Sequence, residues 1–171
     1  MKKFFALILI AILAMSTVAA FAATYNYDND LIFNYDETAF DIEMDDHTDD
    51  EDLVILTGKN EAWGNTYIRI HLRNLDDGEQ FPTKDEFTPI ADVEVTQGEW
   101  NGYKDVFMYT VENDDGTSQH FFIAPVVDDD NGEVEDILTV EIGITKIEDD
   151  DTAIGRDDQI SAVLDSLKID D

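Results

Sequence analysis

Cysteine is absent from all 171 residues. That excludes a disulfide, a thiolate nucleophile, a cysteine-ligated metal and a lipidated N-terminal cysteine. Histidine is nearly as scarce: His47, His71 and His120 are the three in the chain. None has a partner four residues away, so a zinc site of neighbouring ligands is not expected, and His71 and His120 read as packed or half-exposed strand residues. Serine is thin beyond the N-terminal segment, where Ser118, Ser161 and Ser166 remain, and no Gly-x-Ser-x-Gly elbow occurs. Basic residues are the last shortage. Ten Lys and Arg stand against 41 Asp and Glu, a net charge of −31. Such a surface repels nucleic acid and anionic lipid and excludes both as partners. An unknown protein, a cation or a glycan is left as the ligand, with solubility and adaptation to salt as the plain account of the charge.

What the chain does have begins with a leader. Lys2-Lys3 precede an apolar run from Phe4 to Met15, and Ala20-Phe21-Ala22 has the small-x-small form of a signal peptidase site. Residues 1–22 therefore read as a signal peptide cut between Ala22 and Ala23, and residues 23–171 as one secreted domain. No basic stop-transfer flank follows, so no membrane insertion is expected after cleavage. Removing Lys2 and Lys3 leaves 8 basic against 41 acidic residues, a net of −33. The expected location is extracellular or the cell envelope.

Strand patterns dominate the domain. Residues 103–112 and 117–127 are β-rich runs on either side of Asn113-Asp114-Asp115-Gly116, the chemistry of a hairpin. Tyr103, Phe107, Tyr109 and Val111 are expected on one face and Val106 and Met108 on the other, so this hairpin needs cover on both sides and belongs inside its sheet. Asn101-Gly102 marks a second hairpin, joining residues 92–100 to the first run. Further strands are expected at 31–33, 39–44, 53–57, 66–72 and 137–147, with Thr139, Glu141 and Thr145 facing out of the last. Ala23 to Asp30 reads as a polar lead-in and Asp45 to Asp52 as an acidic loop. Thr83-Lys84-Asp85-Glu86 matches a capping box before a helix of one or two turns limited by Pro89. A final helix is expected over 157–168, where Ile160, Val163, Leu164 and Leu167 form one apolar stripe. Asp157 and Asp158 would sit at its positive end and Lys168 at its negative end. The expected fold class is α+β: an antiparallel twisted sheet flanked by helices, with the C-terminal amphipathic helix packed on one face.

This order of elements, closing on Ile160-Ser161-Ala162-Val163-Leu164-Asp165-Ser166-Leu167-Lys168, resembles the PsbP-like and Mog-type α/β/α sandwich. The chain departs from it at Asp45-Asp46-His47, where those proteins often carry Pro and Trp. The resemblance implies a fold, and adaptor or accessory roles. It implies no catalytic residue.

Three functional classes follow. The first is a secreted bacterial non-catalytic accessory or binding protein, the role the resemblance implies. The second is an extracellular hydrolase using carboxylates, which 41 acidic residues neither select nor deny. The third is a calcium-dependent cell-surface module. On an EF-hand frame with Gly132 at position six, Val127 falls first and Leu138 twelfth, so that frame fails. The turn ending at Gly116 fails likewise. An irregular calcium site in Asp45–Asp52 or Asp128–Asp136 stays open, and no cofactor or metal residue is assigned. Trp63 and Trp100, each beside a glycine, are either stacking platforms for a ligand or covers for the core, the latter being favoured.

Overall fold

The computed structural model describes residues 22–28, 30–76, 78–90, 92–128 and 131–169. Among these the chain forms ten strands, a 3-10 turn at Glu61–Trp63 and one α-helix. The expected leader lies outside the described residues apart from Ala22, whose backbone opens the first strand.

Two antiparallel meanders build the larger sheet. The first is β3 (Phe40–His47), β4 (Glu51–Gly58) and β5 (Tyr67–Asn74); the second is β6 (Thr96–Trp100), β7 (Tyr103–Glu112), β8 (Thr117–Val127) and β9 (Val134–Thr145). They join edge to edge through β5 and β9, giving the order β3-β4-β5-β9-β8-β7-β6. A smaller sheet, β1-β2-β10, is made by β1 (Ala22–Tyr27), β2 (Leu31–Asp36) and β10 (Lys168–Ile169). Both ends of the described chain thus meet on β2. The helix α1 (Asp150–Ser166) runs between β9 and β10.

Register sorts the side chains. Val54, Ile70 and Val140 lie opposite one another across β4, β5 and β9, and their i±2 neighbours Leu56, Ile68, Leu72, Leu138 and Ile142 share that face. All are buried with Val106, Ala124 and Val126 in one core, which Leu31 and Phe33 of β2 and Ile160, Val163 and Leu167 join from the other layer. Burial of such side chains is worth about 1.5–3 kcal/mol each and is the main force holding a chain with no cross-links. Trp63 is in this core at 6% exposure, packed on Phe40. Trp100 is half-buried and stacked on Phe122. Both tryptophans therefore cover the core.

The α+β expectation is corrected. The fold is sheet-dominated, with two antiparallel sheets and one C-terminal helix rather than a sheet flanked by helices. Two local causes account for the difference. Thr83 gives its hydroxyl to Glu86 Oε2 at 2.7 Å instead of capping a backbone N–H, so residues 83–87 make a single turn and Pro89 stops it. The loop itself covers the second sheet face: Phe81 and Phe87 stack on Phe107 with ring centroids 5.3 and 4.3 Å apart. In addition, most of the lead-in expected over residues 23–30 pairs as strand β1, with half-buried Ala23, Tyr25 and Tyr27 alternating with exposed Thr24 and Asn26.

The helix begins seven residues before its expected start. Asp149 caps it, accepting from the Thr152 N–H at 2.8 Å, and Asp150 and Asp151 occupy the positive end. Its inner stripe extends one turn back to Arg156, which is buried and donates from Nη1 to the Thr145 carbonyl at 2.6 Å. Lys168 falls in β10 and not in the last turn. In its place Asn101 Nδ2 donates to the carbonyls of Leu164 and Leu167, at 2.9 and 3.0 Å. Asn101 and Gly102 hold φ of 49° and 88°, the left-handed pair that a two-residue hairpin requires, so one turn both reverses the chain and closes the helix.

Candidate functional site

A wide opening forms where the β7–β8 ladder stops. The pairing runs from Glu112 opposite Ser118 to Phe107 opposite Ile123 and goes no further. Two features end it. Pro125 has no N–H to give, and β7 bulges against β6 between Tyr103 and Val106, with Asp105 at φ 59°. Residues 103–105 and 125–127 consequently become two walls. Leu167, Lys168 and Ile169 close the third side and Phe81 to Lys84 the fourth. The result is a groove of about 1120 Å³, somewhat above the ~300–1,000 Å³ usual for small-molecule sites.

Its lining mixes two chemistries. Phe81, Pro125, Val126, Val127, Leu167 and Ile169 are apolar, and Val127 is 45% exposed although large. Lys84, Lys104 and Lys168 are the cations, against one acid, Asp105. Three of the eight basic residues beyond the leader meet here. None of the three ion-pairs with a described carboxylate, whereas Lys59 is bound to Asp41 at 2.7 Å and Arg73 to Glu79 at 2.9 Å. Arg73 grips Glu79 with two parallel bonds, and that holds the Glu79 carboxyl down at about 2.

A second polar cluster lies on the other face of the large sheet. Glu141, expected to face solvent, is 9% exposed. The Tyr67 hydroxyl donates to Oε1, Gln119 Nε2 donates to the same oxygen at 2.8 Å, and Arg69 Nη1 stands 3.7 Å from Oε2. Burial, and then the bond to Glu141, raise the Tyr67 phenol above its ordinary value. Arg69 Nε is buried and has no hydrogen-bond partner among the described residues. One carboxylate held by a phenol, an amide and a guanidinium is a fixed group rather than a free base.

The third cluster joins the two sheets. His47, read as part of a loop, ends β3, and the loop after it is Thr48 to Asp50 alone. Its Nδ1 lies 2.7 Å from Asp52 Oδ1 and its Nε2 lies 2.6 Å from Asp45 Oδ1. Tyr25 of β1 donates its hydroxyl to Asp45 Oδ1 at 2.6 Å, and the Tyr27 ring stacks on the imidazole with centroids 3.4 Å apart. Burial works against charge on His47, but the hydrogen bonds to Asp52 and Asp45 outweigh it and raise the pKa.

The two acidic segments come together in a cleft of about 380 Å³ that includes Asp49, Glu51 and Asp52 from the first and Asp136 from the second. Among the described residues no group of three or more acids or histidines is placed to hold a metal ion. Asp129 and Asp130, part of the second calcium segment, lie outside the described residues. Asn131 knits the described part of that turn, donating from Nδ2 to Asp128 and accepting at Oδ1 from the Glu133 N–H.

His71 and His120, read as strand residues, are so placed. His71 meets Glu51 at 2.9 Å and His120 meets Thr110 at 3.0 Å. No described helix is long and apolar enough to cross a membrane. The groove has no signature in the sequence. Its four walls, at 81–84, 103–105, 125–127 and 167–169, come from separate parts of the chain, and the local signals are Pro125 and the hairpin turns. Comparison of the chain with protein-family models, curated proteins and solved structures found no match.

Proposed function

We propose that this is a secreted, non-catalytic binding or accessory protein, the role the PsbP-like resemblance implies, and that its ligand occupies the groove between β7, β8 and β10. The observation that carries the reading is the ended ladder at Phe107 and Ile123, which opens a walled space lined by three lysines that ion-pair with no described carboxylate, in a chain otherwise crowded with acids. The groups with chemical potential elsewhere are engaged: Glu141 by Tyr67 and Gln119, and His47 by Asp45 and Asp52. Binding therefore falls to the groove, and export delivers it outside the cell, starting at Ala23.

A melting-temperature screen over organic anions, organic cations, sugars and peptides tests this, run on the protein and on Val127→Trp, which fills the groove from an exposed wall position. At least one class should stabilise the parent and fail on the variant. No shift with any class, or equal shifts in both proteins, would overturn the groove; turnover of glycoside or ester substrates would overturn the non-catalytic role.

A further inference from the structure

We infer that the groove takes a small amphiphilic anion, an apolar chain or ring body ending in a carboxylate, sulfate or phosphate. The inference rests on the groove being the binding site and adds the class of ligand. Charge complementarity is the first argument. Lys84, Lys104 and Lys168 come from three separate segments, are exposed, and form no ion pair with a described carboxylate. The other described cations mostly have acids beside them, as Lys59 has Asp41 and Arg156 has Asp157. At ~0.15 M salt charges act over about 8 Å, so a ligand already in the groove feels the three lysines and Asp105, a local excess of cations, more than acids elsewhere on the chain.

The walls supply the second argument. Pro125 and Val127 on one side and Leu167 and Ile169 on another are apolar, which a simple inorganic anion would leave unused. The third argument separates a small molecule from a peptide strand. A peptide adding to the free edge of β8 would meet Pro125, which has no N–H for the ladder. A lipid bilayer surface is disfavoured too, because a net charge of −33 repels an anionic membrane as a whole, while a single amphiphile can enter the cationic groove.

Displacement of anilinonaphthalene sulfonate, itself an amphiphilic anion, tests the inference at ~0.15 M salt. Laurate should displace the dye saturably. Dodecyltrimethylammonium, with the same chain and the opposite charge, should not do so at equal concentration, nor should inorganic phosphate. Lys84→Gln with Lys104→Gln and Lys168→Gln should weaken laurate by about tenfold or more, with an unchanged melting curve showing that the fold is kept. Equal displacement by the cationic amphiphile, competition by phosphate as strong as by laurate, or unaltered laurate affinity in the triple variant would each overturn it. Phosphatidylglycerol vesicles binding while monomeric laurate does not would also overturn it. If a sugar or an organic cation instead stabilises the parent but not Val127→Trp, the groove stands and the anion falls. If no class tells the two proteins apart, both fall.

Discussion

Tyr67 lays its ring over Gly143 on the neighbouring strand, occupying the place where any other residue would put a side chain. That overlap brings the phenol to Glu141, two residues along β9. Glycine is required here by close approach and not by backbone angle. Gly143→Ala should therefore force the ring aside and cost roughly 1–3 kcal/mol by overpacking, together with loss of the Glu141 bond. Gly155, inside α1 with open space where a Cβ would stand, is the contrast. Gly155→Ala should stabilise by about 0.4–1 kcal/mol. Urea midpoints of the two variants should move in opposite directions.

His47 should make stability depend on pH. Its folded pKa is raised above the ordinary ~6.5, so its contribution is complete below that value and is lost as pH rises through the folded pKa. Protonated, the ring can donate to Asp45 and Asp52 at once; neutral, it keeps one N–H. The NMR titration of the His47 ring should have its midpoint above ~6.5. The melting temperature of the parent should fall across that interval more than that of His47→Asn. A midpoint below ~6.5, or parallel curves, would refute the latch between β1 and β3.

Helix closure is a third case. Leu167 is 3% exposed, and Leu167→Ala should cost roughly 2–5 kcal/mol. Asn101→Gly keeps the left-handed turn but removes the donor to Leu164 and Leu167, so a loss of about 1–3 kcal/mol is expected from two hydrogen bonds. Asp165→Ala, exposed, should stay within ~0.5 kcal/mol. Denaturant titration of the three variants ranks them.

Cations bear on the acidic cleft at Asp49, Asp52 and Asp136. Calcium should act there as a screening counterion, raising the melting temperature no more than magnesium does at equal ionic strength. A calcium-specific rise of several degrees at tens of micromolar, lost in Asp52→Asn with Asp136→Asn, would restore the calcium module.

Much of the sheet was legible because its signals are local. Asn101-Gly102 and the turn ending at Gly116 set two hairpins, and alternation placed Phe107 and Tyr109 opposite Val106 and Met108. Expected faces failed where a long-range partner decides. Glu141 looked solvent-facing by period but is buried beneath Tyr67, 74 residues earlier. The helix start at Asp149 to Asp151 was not legible, because an acidic run suits a loop as well as a helix N-terminus. Two-residue β10 carries no pattern at all, and its place on β2 depends on where α1 ends. The groove needed all of these placements together.

The most direct test of the account observes the lysines themselves. Reductive methylation with labelled formaldehyde keeps their charge and gives a signal for each of Lys59, Lys84, Lys104, Lys146 and Lys168. On addition of laurate, the signals of Lys84, Lys104 and Lys168 should move together and saturate, while those of Lys59 and Lys146, outside the groove, stay in place. Movement of all five in parallel, or of none at saturating laurate, would contradict the account.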